Sequence, residues 1–195
     1  MILRTSTSQP HLGGNFVGGD PNTLYVDLWS WLVQQYQAKS VFDVGCGEGY
    51  AMREFLVLGC EVVGIDGLQE NVDTCAGLVV KHDLVAGPYQ LSRPADLVWC
   101  CELVEHVDER HVNNVLVTLA QGIRVAMTHA LPRQRGYHHV NCKDDQYWIS
   151  ALRSVGYEYL ESDTKESREL FNHAYWGKSG LIFERIIPWQ NASQS

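Results

Sequence analysis

The sequence predicts a doubly wound α/β fold, with a seven-stranded, mostly parallel sheet and helices on both faces. Three observations predict it. Short apolar, β-rich runs alternate with segments of helical apolar spacing along most of the chain. The first such run, Ser40-Val41-Phe42-Asp43-Val44, leads straight into a glycine-rich turn that opens a helix. The second, Cys60 to Ile65, stops at Asp66-Gly67, at the strand end where open α/β sheets bind ligands.

The elements follow in order. Residues 1–20 are rich in Ser, Thr and Gly, including Gly13-Gly14 and Gly18-Gly19, and read as a flexible N-terminal arm on a single domain spanning 21–195. Leu24, Leu28, Trp31 and Leu32 recur at helical spacing and predict a helix from Leu24 to Gln37. Glu48 to Leu58 reads as a helix ended by Gly59, and Gln69 to Cys75 as another. Strands are expected near Leu78–Lys81, at Ala95–Cys101 and at Ile123–Thr128, with a helix from Asp108 to Gln121 before the last of these. Asp144 to Ser154 reads as a helix opened by two acids. Gly156–Glu161 and Leu181–Ile187 read as late strands forming an antiparallel edge, with little helical pattern between them.

Composition narrows the function. The chain has 195 residues, 45% hydrophobic and 19% charged, enough for one domain with its own core. A net charge of −8 argues against extended DNA binding, which rests on clustered Lys and Arg, though Arg133 and Arg135 leave room for a local basic site. The six cysteines form no C-x-x-C pair, so a reducing, cytoplasmic setting is expected. The first residues carry no apolar signal segment, no run is long enough to cross a bilayer, and no membrane partner is expected. The sequon at Asn191 accordingly has no secretory context to use it.

The segment Asp43-Val44-Gly45-Cys46-Gly47-Glu48-Gly49 carries the most chemistry. Its glycines bring backbone close to a ligand, and amides at the helix start favour a polar or anionic group. A tight turn alone would explain the glycines. Asp43 before them, Asp66 after the second strand and Asp83 after the third are harder to explain as three separate caps. Phe42 to Gly49, then Gly64-Ile65-Asp66, then Ala95 to Glu102 resemble the class I S-adenosylmethionine-dependent methyltransferases, a family with a Rossmann-like sheet. The resemblance implies S-adenosylmethionine as methyl donor. It places Asp43, Gly45, Cys46 and Gly47 at the donor's amino-acid part, and Asp66 on its ribose hydroxyls. Gly67, Leu68, Asp83 and Leu84 would surround the adenine, with Cys101 and Glu102 facing the methionine part. Asp66, at a strand end, is expected to have little packing role.

Glu102, Glu105 and His106 stand at i, i+3 and i+4, which on a helical turn puts all three on one face. A second histidine pair, His138-His139, follows the fifth strand. The combination resembles the metal-dependent small-RNA 2′-O-methyltransferases and the ubiquinone-pathway O-methyltransferases. That implies a divalent cation, magnesium or manganese, on Glu102, Glu105, His106 and a loop histidine, His139 in preference to His138, although spacing does not separate the two. Without a cation, His139 or His106 would act as the base. His129 is read as a wall residue at the pocket mouth, and His11 as a surface group. The function expected is O-methylation of a small or medium-sized acceptor such as a sugar, nucleotide end or phenol. N-methylation and a non-catalytic S-adenosylmethionine-binding subunit are the alternatives; oligomeric state is left open.

Overall fold

A computed structural model describes residues 1–75 and 77–188; the sequon at Asn191 lies outside them. The chain runs α1 (Val26–Tyr36), β1 (Ser40–Val44), α2 (Tyr50–Val57), β2 (Glu61–Asp66), α3 (Gln69–Thr74), β3 (Val79–Lys81) and β4 (Ala95–Cys100). It continues through α4 (Val112–Leu119), β5 (Gly122–Met127), α5 (Asp145–Ser154), β6 (Tyr157–Tyr159), α6 (Glu161–Leu170), α7 (Trp176–Ser179) and β7 (Leu181–Arg185). The sheet has seven strands in the order β3-β2-β1-β4-β5-β7-β6. β1 to β5 pair in parallel, and β7 lies antiparallel to both β5 and β6. The chain reverses direction across the sheet between β1 and β4, so their carboxyl ends flank the crevice where such folds bind ligands.

Alternation along the strands splits the core in two. Phe42, Val98 and Cys100 face a cluster with Val115, Leu119 and Trp148, while Val41, Leu97 and Trp99 face Trp29, Phe55 and Trp176. In the second layer Trp99 meets Trp29 edge-on at 6.0 Å and stacks on Trp176 at 5.5 Å. Removing such a ring from a packed core costs about 3–5 kcal/mol.

Two expectations need correction. The helix expected over Asp108–Gln121 begins as a 3-10 turn, Glu109–His111, capped by the Asp108 carboxylate, and α4 ends at Leu119. The stretch between the last two strands, expected to be poor in helix, contains α6 and α7. Of α6, only Thr164 and Ser167 are buried, so it has no apolar stripe for a periodicity argument to find. Its signals are electrostatic: Glu161 and Asp163 in the first turn, Arg168 in the last, and a Glu161–Lys165 pair at 2.7 Å.

The first seventeen residues fold back on themselves. Leu3 bridges Phe16, and the Arg4 and Val17 amides donate to Asn15 and Ile2 carbonyls at 2.8 Å. Among the described residues no helix is long and apolar enough to cross a membrane. The six cysteines are unpaired thiols.

Candidate active site

A cavity of about 400 Å³ opens at the carboxyl ends of β1, β2 and β4 and passes beneath the N-terminal hairpin. At one end it is lined by the glycine loop. Gly45, Gly47 and Gly49 all have positive φ, conformations that side-chain-bearing residues adopt at a cost. The loop is tied to β2 by the Gly45 and Cys46 amides, which donate to the Ile65 carbonyl at 2.9 and 3.0 Å.

Asp66 anchors this end. Its carboxylate accepts from the Gly47 amide (2.9 Å), the Leu68 amide (2.9 Å) and Asn71 Nδ2 (3.0 Å). This corrects the expectation of little packing role: Asp66 joins the glycine loop to the start of α3. Leu68, expected beside the adenine, is buried and does not line the cavity, whereas Gly67 and Asn71 do. Asp83 and Leu84 also line it. Asp83 accepts from the Val85 amide and meets His11 Nε2 at 3.0 Å, so His11 is an internal partner and not a surface group. Asp43 is buried, with Oδ2 lacking any protein partner. Burial, and then the charge of Asp66, push its carboxyl up to about 8.

The other end is built from two loops. Thr128, just past β5, accepts from the Glu102 amide (2.8 Å) and donates to Glu102 Oε1 (2.9 Å), which holds Glu102 at φ 50°. Val104–His106 then forms a 3-10 turn. The loop after β5 returns over it: the Val140 and Asn141 amides both donate to the Glu105 carbonyl, at 2.9 and 3.1 Å. These bonds bring His139 beside His106, the rings edge-on at 5.1 Å.

The result differs from a single helical face. Ligand atoms of Glu105, His106 and His139 lie within 4.8 Å of one another, and Glu102 is outside this group. His139 lines the cavity and His138 does not. Both Glu105 carboxylate oxygens and His106 Nδ1 are buried without a protein partner. Burial, then the charge of Glu102, raises the Glu105 carboxyl well above its ordinary range. Burial, then His139 and His138, lowers His106 to about 4, and burial lowers His139 as well. His139 Nδ1 sits 3.3 Å from the Gln134 carbonyl, an acceptor only, so that nitrogen is the donor and Nε2 is left with a free lone pair. Gly136 makes the ring's position possible, since a Cβ there would clash with Nε2, Cε1 and Cδ2 of the His139 imidazole.

His129, expected at the pocket mouth, is fully buried away from the cavity and meets Asp145 at 3.0 Å, which in turn pairs with Arg168. Other cavity residues escaped the sequence reading, above all those of the hairpin. Gly13 and Gly14 read as flexible, but a Cβ on Gly13 would press on Tyr137 and one on Gly14 on His106. Their glycine character permits close approach. Arg4 pairs with Glu48 at 2.9 Å, and the Ser6 amide and carbonyl both bond the Tyr137 hydroxyl at 3.0 Å.

Residues 42–124 match the family described as a methyltransferase domain. A ubiquinone biosynthesis O-methyltransferase from Rickettsia typhi is 31% identical over 91 residues, covering 43% of this chain and 36% of that protein. The equivalent protein of Rickettsia bellii (strain OSU 85-389) is 28% identical, covering 43% of this chain and 37% of its own length. The match thus spans little more than a third of these relatives. Among solved structures, the methyltransferase domain of bacterial CtHen1-C has a TM-score of 0.59 at 15% identity, covering 82% of this chain and 96% of that one. The magnesium protoporphyrin IX methyltransferase of Synechocystis PCC 6803, with bound S-adenosylmethionine, has a TM-score of 0.58 at 21% identity, covering 82% and 77%. The [4+2]-cyclase SpnF has the same fold, with a TM-score of 0.57 at 15% identity over 90% of this chain and 88% of its own, so the fold alone does not name a reaction. The methyltransferase-domain match runs from β1 into β5 over the glycine loop and its acids, and together with the shared fold it supports a class I S-adenosylmethionine-dependent methyltransferase.

Proposed function

We propose that this protein transfers a methyl group from S-adenosylmethionine to an oxygen of a small or medium-sized acceptor. One observation carries the reading: a single cavity joins the strand-end acids to His106 and His139. The partial likeness to ubiquinone biosynthesis O-methyltransferases supports oxygen as the target. S-adenosylmethionine supplies an electrophilic methyl on a sulfonium. Asp66 and Asp83 would hold its ribose and adenine, and the Gly45–Gly47 backbone its amino-acid part, with Asp43 nearby. Cys101 and Glu102 would border the methionine side.

Glu105, His106 and His139 fit a divalent cation such as magnesium or manganese. Two neutral imidazoles and a buried carboxylate without partners are a mixed nitrogen and oxygen donor set. Such a cation would make an acceptor hydroxyl more acidic. The chain's own contribution is to exclude water, orient the acceptor and take its proton. In a metal-free site that base is His139 Nε2, turned from Gln134 by its other nitrogen. The acceptor O–H bond then breaks toward His139 as the new O–CH₃ bond forms and the S–CH₃ bond breaks.

The hairpin must open for the donor to enter, because His11 occupies the carboxylate assigned to the adenine. The six unpaired thiols fit a reducing compartment such as the cytoplasm. The test is transfer of labelled methyl to catechol after dialysis against a chelator, then after manganese is restored. The expected result is at least a tenfold loss and its recovery. Full activity in the stripped enzyme would eliminate the cation. His139→Ala would then retain the histidine as base if activity fell, and reject the acceptor-side assignment if it did not.

A further inference from the structure

Between His129 and Cys142 the chain carries Arg133 and Arg135 and no Asp or Glu, in a protein of net charge −8. Arg135 is the one Arg or Lys among the described residues that lines the cavity, and it does so beside Gln134, Tyr137 and His139. It is exposed, and it makes none of the ion pairs found among the described residues. The Asp and Glu side chains of the cavity wall are Asp20, Asp43, Glu48, Asp66, Asp83 and Glu102, of which Glu48 pairs with Arg4. Apart from Arg135, the wall thus offers an anion no Lys or Arg of its own.

The loop is also built to hold a position. The Gln134 amide donates to the Leu131 carbonyl at 2.9 Å, and the Leu131 amide donates back to Gln134 Oε1 at 3.0 Å. Gln134 also presents its carbonyl to His139 and to Cys142 Sγ, so the residue before Arg135 is the one that orients the histidine. Arg133 and His138, on either side, both hold positive φ, at 70° and 48°. Strained backbone of this kind persists where surrounding bonds over-determine it. Arg135 therefore stands at a set reach from His139, and a guanidinium without a counter-ion is suited to bidentate capture of a carboxylate or phosphate.

Resting on the methyl-transfer reading above, we propose that the acceptor is a small-molecule anion, and that Arg135 binds its carboxylate or phosphate while the hydroxyl to be methylated lies at His139. The test is direct binding by calorimetry to protein loaded with S-adenosylhomocysteine. The probes are two matched pairs: protocatechuate against catechol, and uridine monophosphate against uridine. At least one anion should bind tenfold or more tighter than its neutral partner, and which pair shows it separates carboxylate from phosphate. Arg135→Gln should abolish that preference and Arg135→Lys restore part of it, while Arg133→Gln, away from the cavity, keeps it. Equal binding within both pairs, no binding of any probe, or a preference that survives Arg135→Gln would overturn the proposal. The methyl-transfer reading fails separately: the anion preference would stand in binding while the bound probe acquired no labelled methyl.

Discussion

The two ends of the cavity are made differently. The end assigned to the donor comes from three successive parallel strands at their carboxyl ends: the glycine loop after β1, Asp66 at the end of β2 and Asp83 just past β3. The acceptor end is assembled from a 3-10 turn, a loop with two left-handed non-glycine residues, and a hairpin contributed from the other end of the chain. The first is built from the strand ends of the sheet itself. The second is a set of loop contacts on that scaffold, where acceptor choice can vary without disturbing the sheet.

The comparison breaks most sharply at Asp66. Asp66→Ala removes three hydrogen bonds to a carboxylate, of roughly 1.5–3 kcal/mol each when made to a charged group. Affinity for S-adenosylhomocysteine should fall at least a hundredfold in calorimetric titration. The melting temperature should fall with it, because the same bonds tie the glycine loop to α3. A normal melt alongside lost affinity would show that the scaffold role assigned to Asp66 is wrong.

Gly136→Ala sharpens the other side. The added methyl would displace the His139 ring, and a misplacement of about 1 Å costs on the order of a hundredfold in rate. The expected signature is a large fall in kcat with unchanged affinity for S-adenosylhomocysteine. A smaller effect tests the hairpin that spans both ends. His11→Ala removes one partly exposed hydrogen-bonded contact to Asp83, worth no more than about 1 kcal/mol. Hydrogen exchange across residues 2–17 should speed up in the free protein, and unchanged protection would detach the hairpin from Asp83.

A different kind of effect concerns pH. Asp43, pushed up to about 8, keeps a proton in the folded state that an unfolded aspartate of ordinary value 3.8 gives up. Asp66 faces it across the loop, and Cys46 and Cys100 lie close by. The folded state binds more protons between those two values, so this contribution is complete below 3.8 and is lost as pH rises through about 8. Thermal melts of the free protein should fall between about pH 5 and pH 8, and Asp43→Asn should flatten part of that slope. Identical slopes would mean that Asp43 is ionised throughout.

The same division explains what the sequence made legible. Period-two and helical patterns exposed the strands and the apolar helices, and the glycine turn with its three acids pointed to the donor end. The polar α6 was invisible to an argument from apolar stripes. The hairpin's contacts were not legible because Gly13-Gly14 looks the same whether glycine is needed for motion or for close approach to Tyr137 and His106. Glu102, Glu105 and His106 were singled out together by helical spacing, but Glu102 stands apart from the other two, and its left-handed backbone depends on Thr128, a partner 26 residues away. His139 could not be separated from His138 by spacing. What separates them is a carbonyl at Gln134 and two amides bonded to Glu105.

The central claim, that donor and acceptor are held by separable ends of one cavity, is tested most directly by titrating S-adenosylhomocysteine into His139→Ala and Asp66→Ala beside the unaltered protein. The account predicts that His139→Ala binds as the unaltered protein does and that Asp66→Ala loses at least a hundredfold, about 2.7 kcal/mol. Equal losses in both variants, or a loss confined to His139→Ala, would contradict it.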